Sequence, residues 1–162
     1  MKVPLLPKET LGLAAEFAVA SELCGRGIYA QLTLGNRKRT DLLIDDEGGK
    51  MLRVQVKSKQ QRVWPGVKGV CGLENILVLV DYESKSIIER PDFYVLTQSD
   101  WKAVTATELV TAGRIERGEV SLNDQLIPTW KDGFVGMSIR PQQVQEYREK
   151  WEKVHELLGV AR

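Results

Sequence analysis

The sequence predicts a mixed α/β domain, a sheet with helices on its faces. Three observations predict it. Apolar residues of helical period open and close the chain, in "ETLGLAAEFAVASELCGRG" and "RPQQVQEYREKWEKVHELLG". Between them, "GIYAQLTL", "RTDLLID" and "MLRVQVKS" read as short strands. "ILVLVDY" is a continuous apolar run, the mark of a central strand covered on both faces. Strands enclosed by helical segments call for layers of helix on sheet.

The first helix is stopped by Gly25 and Gly27. Its apolar stripe is expected to be Leu13, Phe17, Ala20 and Cys24. Glu22 would then face solvent. Glu16 lies one turn before Ala20 and close in angle to Leu23, so it flanks the stripe and leans inward. The three following strands suit an antiparallel meander. "VWPGVKGVCGLEN" is a Gly/Pro-punctuated loop, and no Gly-Lys-Ser/Thr makes it a phosphate loop. "ILVLVDY" is expected beside the meander with different polarity, and "DFYVLT" follows as a fifth strand. "SDWKAVTATELVTAG" is weakly helical, with Ser99 as N-cap. The last helix has a stripe of Val144, Tyr147, Trp151, Val154 and Leu158.

At 162 residues, 43% hydrophobic and 28% charged, the chain suits one ordinary globular domain spanning 1–162. Its core is expected at about 10–100, with a C-terminal helical extension at about 140–158. No apolar run has membrane-spanning length, and "MKVPLLPKET" does not read as a secretion signal. Cys24 and Cys71 show no metal spacing. Free thiols in a reducing cytosol are expected, with one disulfide the alternative. Cytoplasmic location follows from the same reading. Net charge is +1, but Arg37 to Lys68 carries nine Lys/Arg (37, 38, 39, 50, 53, 57, 59, 62, 68) against four Asp/Glu (41, 45, 46, 47). Such local basicity suits a polyanion partner.

Within that basic stretch, strands carry residues that a core rejects. Side chains alternate along a strand. Arg53, Gln55 and Lys57 therefore share one face of "MLRVQVKS", opposite Leu52, Val54 and Val56. For Asp41 to meet Gln55, the hairpin loop must hold an odd number of residues. Glu47-Gly48-Gly49 meets that condition; a two-residue Gly48-Gly49 turn would put Asp41 on the valine face unless a bulge restored the match. Each residue alone has an ordinary reading. Asp41 opens a strand, Lys57 snorkels at a strand end, and Glu16 pairs with Arg26 or Lys57. Gln55 among valines needs partners of its own. Four such exceptions on one surface point instead to a hard-cation site. Asp41 would supply a carboxylate, Gln55 an amide oxygen, Val56 its main-chain carbonyl and Glu16 a carboxylate directly or through water, while Lys57 would hold the scissile phosphate, stabilise the growing charge or orient the attacking water. His155 is expected at the surface. Trp64, Trp101, Trp130 and Trp151 are expected to pack in the core rather than stack on bases.

A helix with "GLAAEFAVASEL", then "RTDLLI", then "VQVKS", resembles the PD-(D/E)xK nuclease superfamily over roughly residues 10–80. That group includes restriction endonucleases, Holliday junction resolvases and some homing endonucleases. The resemblance implies a restriction endonuclease-like α-β-β-β-α-β core. It places the family's Asp on Asp41, its second acidic position on Gln55, its lysine on Lys57 and its helix acid on Glu16. Thr40 stands where the family often has proline, and Gln55 stands for an acid, as in a subset of active members. The implied protein is a Mg²⁺- or Mn²⁺-dependent DNA endonuclease, with catalytic residues Glu16, Asp41, Gln55 and Lys57. Arg37, Lys38, Arg39, Arg53, Lys59 and Arg62 are the expected DNA contacts. Cutting a duplex needs two sites, so a homodimer or higher homo-oligomer is expected. The alternative is an inactive module of this fold that binds nucleic acid or a partner protein, motivated by Gln55.

Overall fold

The computed structural model describes residues 4–34 and 40–159. Its elements are α1 (Lys8–Gly25), β1 (Tyr29–Leu32), β2 (Leu42–Asp45), β3 (Met51–Lys59), β4 (Trp64–Val67), β5 (Asn75–Asp81), β6 (Asp92–Leu96) and α2 (Gln98–Thr105). After a π-helical stretch, Ala106–Thr111, come β7 (Val120–Leu122), β8 (Pro128–Trp130) and β9 (Met137–Ile139). A 3₁₀ helix, Pro141–Tyr147, and α3 (Glu152–Leu158) complete the order. Among the described residues, the main sheet has five strands in the order β1-β2-β3-β5-β6. β1, β2 and β3 form an antiparallel meander, β5 lies parallel to β3, and β6 returns antiparallel to β5. The fold is therefore a mixed α/β sheet flanked by helices. Where the resemblance implies a helix between β3 and β5, the crossover carries the short strand β4 and tight turns. β4 pairs with β9 in a separate two-stranded sheet.

β5 explains the uninterrupted apolar run. Ile76, Val78 and Val80 join one core cluster with α1, α3 and the even-numbered residues Leu52, Val54 and Val56 of β3. Leu77 and Leu79 join the other, with Trp64, Trp101 and Ile139. Both faces are buried, so both parities must be apolar. Trp64, Trp101 and Trp151 are core residues, and the half-buried Trp130 packs against the second cluster with the Arg114 guanidinium over its ring. At Gly69 the chain turns with φ +78°, and an added Cβ would lie 1.9 Å from the Trp101 indole.

Several local expectations are corrected. α1 turns Leu11, Ala15, Val19, Ala20 and Leu23 to the sheet. Leu13 (50% exposed), Phe17 (58%) and Cys24 face outward instead. The helix is apolar on almost every side, and period alone cannot choose between stripes. The sheet selects the smaller side chains, which allow close approach. α2 starts at Thr97 rather than Ser99: the Thr97 hydroxyl accepts from the Asp100 N–H while the Asp100 carboxylate accepts from the Thr97 N–H. The C-terminal pattern breaks into the 3₁₀ helix and α3, because Glu149 adopts φ +57° between them. Its stripe of Val144, Tyr147, Trp151, Val154 and Leu158 is nevertheless wholly buried. His155 is half-buried rather than at the surface, with Nδ1 shielded from solvent. Both cysteines are free thiols. No helix among the described residues is long and apolar enough to cross a membrane.

Glu22 does not face solvent. It receives Arg90 Nε at 2.8 Å and Nη2 at 2.7 Å, and Arg26 Nη1 at 2.6 Å, while Arg90 also grips Glu149. These bonds tie α1 to the β5–β6 connection and to the segment before α3. The Arg90 and Arg26 guanidinium groups hold the Glu22 carboxyl at about 2, below its ordinary 4.5. A depressed carboxylate contributes stability above its unfolded pKa and loses it as pH falls through the folded one. The network should therefore weaken between about pH 4.5 and pH 2. Arg90 is half exposed, so screening limits the effect to about 1 kcal/mol at neutral pH. In acid unfolding followed by circular dichroism, Glu22→Gln should start less stable at pH 7 and converge with wild type by pH 2. Parallel curves would show that Glu22 is unpaired in solution.

Candidate active site

The hairpin between β2 and β3 sets the site. Leu42↔Val54, Leu43↔Arg53, Ile44↔Leu52 and Asp45↔Met51 are paired, the register that an odd loop requires. The Asp46 N–H closes on the Lys50 carbonyl at 3.3 Å, leaving Glu47-Gly48-Gly49 as the three-residue tip. Glu47 (φ +59°) and Gly49 (φ +94°) make the left-handed turn.

β2 then ends at Leu42, while β3 continues to Lys59 paired only with β5 on that stretch. Asp41 sits at this step. Its N–H donates to the Val54 carbonyl at 2.9 Å, one residue off the ladder register, so the chain bends away. Its carboxylate occupies the place the strand has left: Oδ2 accepts the Val56 N–H at 2.7 Å. In the parallel ladder the odd-numbered residues of β3 bond to β5, as the Arg53 N–H to Glu74 and the Tyr82 N–H to Lys59 carbonyl show. Val56 therefore turns both its N–H and its C=O to the β2 side. The N–H meets Asp41, and the carbonyl points into the same notch.

Glu16 comes from α1 on the other layer. It is half-buried, and its carboxyl is raised above the ordinary range, first by burial and then by the Asp41 charge, with Lys57 opposing. Glu16, Asp41 and Lys57 therefore share one field. Glu16 and Lys57 do not form an ion pair among the described residues; the lysine acts on the acid from farther away. Gln55 and Lys57 point to the face opposite Val54 and Val56. Both are half-buried, and neither side chain makes a hydrogen bond among the described residues.

The neighbouring basic residues divide. Arg53 and Arg62 are exposed. Lys59, expected to contact DNA, is instead 3% exposed. Its Nζ lies 2.6 Å from Asp81, 2.8 Å from Glu83 and 4.9 Å from the Trp64 ring centre. The β3 parity that carries Gln55 and Lys57 to a wet surface carries Lys59 under β4, where its charge is consumed inside the fold. Arg37, Lys38 and Arg39 lie outside the described residues.

Two carboxylates, an amide and a main-chain carbonyl would together make an all-oxygen donor set, the chemistry of Mg²⁺ and Mn²⁺ rather than of softer metals. Among the described residues there is no group of three or more His, Cys, Asp or Glu placed to hold a metal. A divalent cation here would balance the two carboxylates, and Lys57 would then leave one positive charge for a phosphate to balance.

A feature outside the sequence reading adjoins the site. A cleft of about 380 Å³ opens beside Gln55 and Arg53, walled by the Gly69–Gly72 turn, Asn75 and Gln125. The glycines of that turn were the one sequence signal, and they mark a bend without marking a cavity.

No family model matches the chain. No curated protein matches it either. Among solved structures it is similar to a bacterial homing endonuclease, at 23% identity and a TM-score of 0.43, over 56% of this chain and 69% of that one.

Proposed function

We propose that the protein is a metal-dependent DNA endonuclease acting through Glu16, Asp41, Gln55, Val56 and Lys57. The observation that supports it best is the Asp41 carboxylate seated on the Val56 N–H where β3 outruns β2, with Glu16 and Lys57 near enough to act on it. Partial burial and the Asp41 charge both raise the Glu16 carboxyl, and a cation bound between the two acids would relieve that cost.

In this reading Asp41, Glu16, the Gln55 amide oxygen and the Val56 carbonyl hold Mg²⁺ or Mn²⁺. When bound, the ion supplies Lewis acidity and a lowered pKa for coordinated water. Asp41 is oriented for that task by the Val56 N–H. Lys57 holds the scissile phosphate and offsets the charge that grows on its oxygens during attack. Arg53 and Arg62 bind flanking phosphates. Gln55 in place of an acid leaves the cage one negative charge short. Metal and DNA should therefore bind cooperatively, each supplying charge the other lacks. A duplex cut needs two such sites, so the working unit is a homodimer or larger homo-oligomer.

Calorimetric titration with Mn²⁺ tests the reading. Wild type should bind, and Asp41→Asn should bind at least about tenfold more weakly, since it loses a charged oxygen ligand. Incubation with supercoiled, linear and branched DNA and Mn²⁺ should give cleavage products. Failure to bind metal at millimolar concentration, together with no cleavage, would favour a non-catalytic module that binds nucleic acid or a partner protein.

A further inference from the structure

Resting on the nuclease reading of the neighbouring site, we infer that the cleft beside Gln55 holds one unpaired nucleotide of the DNA next to the cleaved bond. Gln55 lines the cleft, and Lys57 follows two residues on along the same face of β3, about 7 Å away. An occupant of the cleft would therefore be an immediate chain neighbour of a phosphate bound at Lys57.

Size and chemistry both suit a nucleotide. About 380 Å³ lies at the small end of ligand pockets, enough for one base and its sugar but not for a base pair. The Gln55 amide offers both donor and acceptor and Asn75 offers an acceptor, as a base edge requires. Val70 and Ile76 add aliphatic surface against which a base face can lie. The Glu74 carboxylate also lines the cleft; it repels a free phosphate but accepts from an exocyclic amino group. Arg53, on the same rim, suits the adjoining backbone phosphate.

The walls are already held in place. Asn75 donates its Nδ2 to the Cys71 carbonyl, which leaves Oδ1 as an acceptor, and the Gly72 N–H donates to Gln98 Oε1. Groups fixed before binding cost less ordering when a ligand arrives. A paired base has its Watson–Crick edge occupied by its partner and cannot enter such a cleft, whereas an unstacked one presents that edge. The substrate class is thus DNA with an unpaired nucleotide at the cut: bulged, flapped, branched or single-stranded.

Cys71 lies in the cleft wall and is a free thiol, so it reports occupancy without a change to the cleft. Cys24→Ser removes the other thiol, which is exposed on α1. The probes are one duplex oligonucleotide with a single-nucleotide bulge and the same duplex fully paired. Both are used at equal occupancy, set by fluorescence anisotropy, without divalent metal. The bulged duplex should slow N-ethylmaleimide labelling of Cys71 roughly tenfold or more, as expected when a ligand buries most of its surface in a pocket. The paired duplex should have little effect. With Mn²⁺ added, the bulged duplex should be cut beside the bulge and in preference to the paired one. Equal protection by both duplexes, or protection by neither, overturns the cleft assignment. If both duplexes are cut equally fast and neither protects Cys71, the nuclease reading stands and this inference falls. Protection by the bulge with no cleavage of either duplex supports the nucleotide cleft and overturns the nuclease reading.

Discussion

Lys57→Ala is expected to slow single-turnover DNA cleavage by about a hundredfold or more, while the protein stays folded and keeps most of its affinity for DNA. The Lys57 side chain is half-buried, makes no hydrogen bond among the described residues, and acts on Glu16 only through space. Removing it leaves no buried carboxylate in contact without a partner and opens no apolar cavity. In the proposed mechanism what is lost is a positive charge beside the phosphate, where negative charge builds during reaction, so the loss falls on the rate. Gln55→Glu is the companion variant: the added carboxylate should retain or raise Mn²⁺ affinity. Rapid mixing with a labelled substrate, with circular dichroism on each variant, measures both. Equal rates for wild type and Lys57→Ala would end the catalytic assignment. Absence of cleavage by every variant, Gln55→Glu included, would make the binding module the better reading.

Two residues along the same strand face, Lys59→Ala should do the opposite. It is expected to destabilise the fold by about 3–5 kcal/mol, the range for removing one partner of a buried ion pair. Lys59 has 1% of its side chain exposed, and Asp81 has 8%. With the ammonium gone, Asp81 keeps the Glu83 N–H at 2.8 Å but no cation. The Lys59 ammonium over the Trp64 ring is lost as well. Urea unfolding reads the change as a lower midpoint at unchanged slope. Lys59→Ala with Asp81→Ala should be less destabilised than the sum of the two single variants, because the double change leaves no orphaned charge in contact. A midpoint for Lys59→Ala within about 0.5 kcal/mol of wild type, the range of ordinary surface changes, would show that the pair is not formed in solution.

The contrast between Lys57 and Lys59 marks the limit of pattern reading. Strand alternation places both on one face, and both are lysines in a basic stretch. β4 covers one and not the other, and β4 is held there by β9, more than sixty residues further on. No local signal contains that distance. The choice of stripe on α1 has the same cause. Two apolar stripes were available, and only contact with β1 and β3 selected Ala15 and Val19 over Leu13 and Phe17. Glu22 turned inward with that choice and found Arg90, 68 residues away.

What the sequence determined by itself was local and periodic. Alternation identified the polar face of β3, and the continuous apolar run identified β5. The tip Glu47-Gly48-Gly49 was one of two turns the sequence allowed, and it is the one that forms, giving the β2–β3 register that brings Asp41 next to Val56. Side-chain period and turn chemistry act over a few residues, so they are written in the chain. Tertiary structure alone decided the rest. The early end of β2 turns the Val56 N–H to the Asp41 carboxylate, and α1 seats Glu16 within reach of that charge. The crossover from β3 to β5 builds a cleft beside Gln55 with Gln125, from seventy residues later. These depend on which surfaces exclude water together, and burial is settled between distant segments rather than within any one of them.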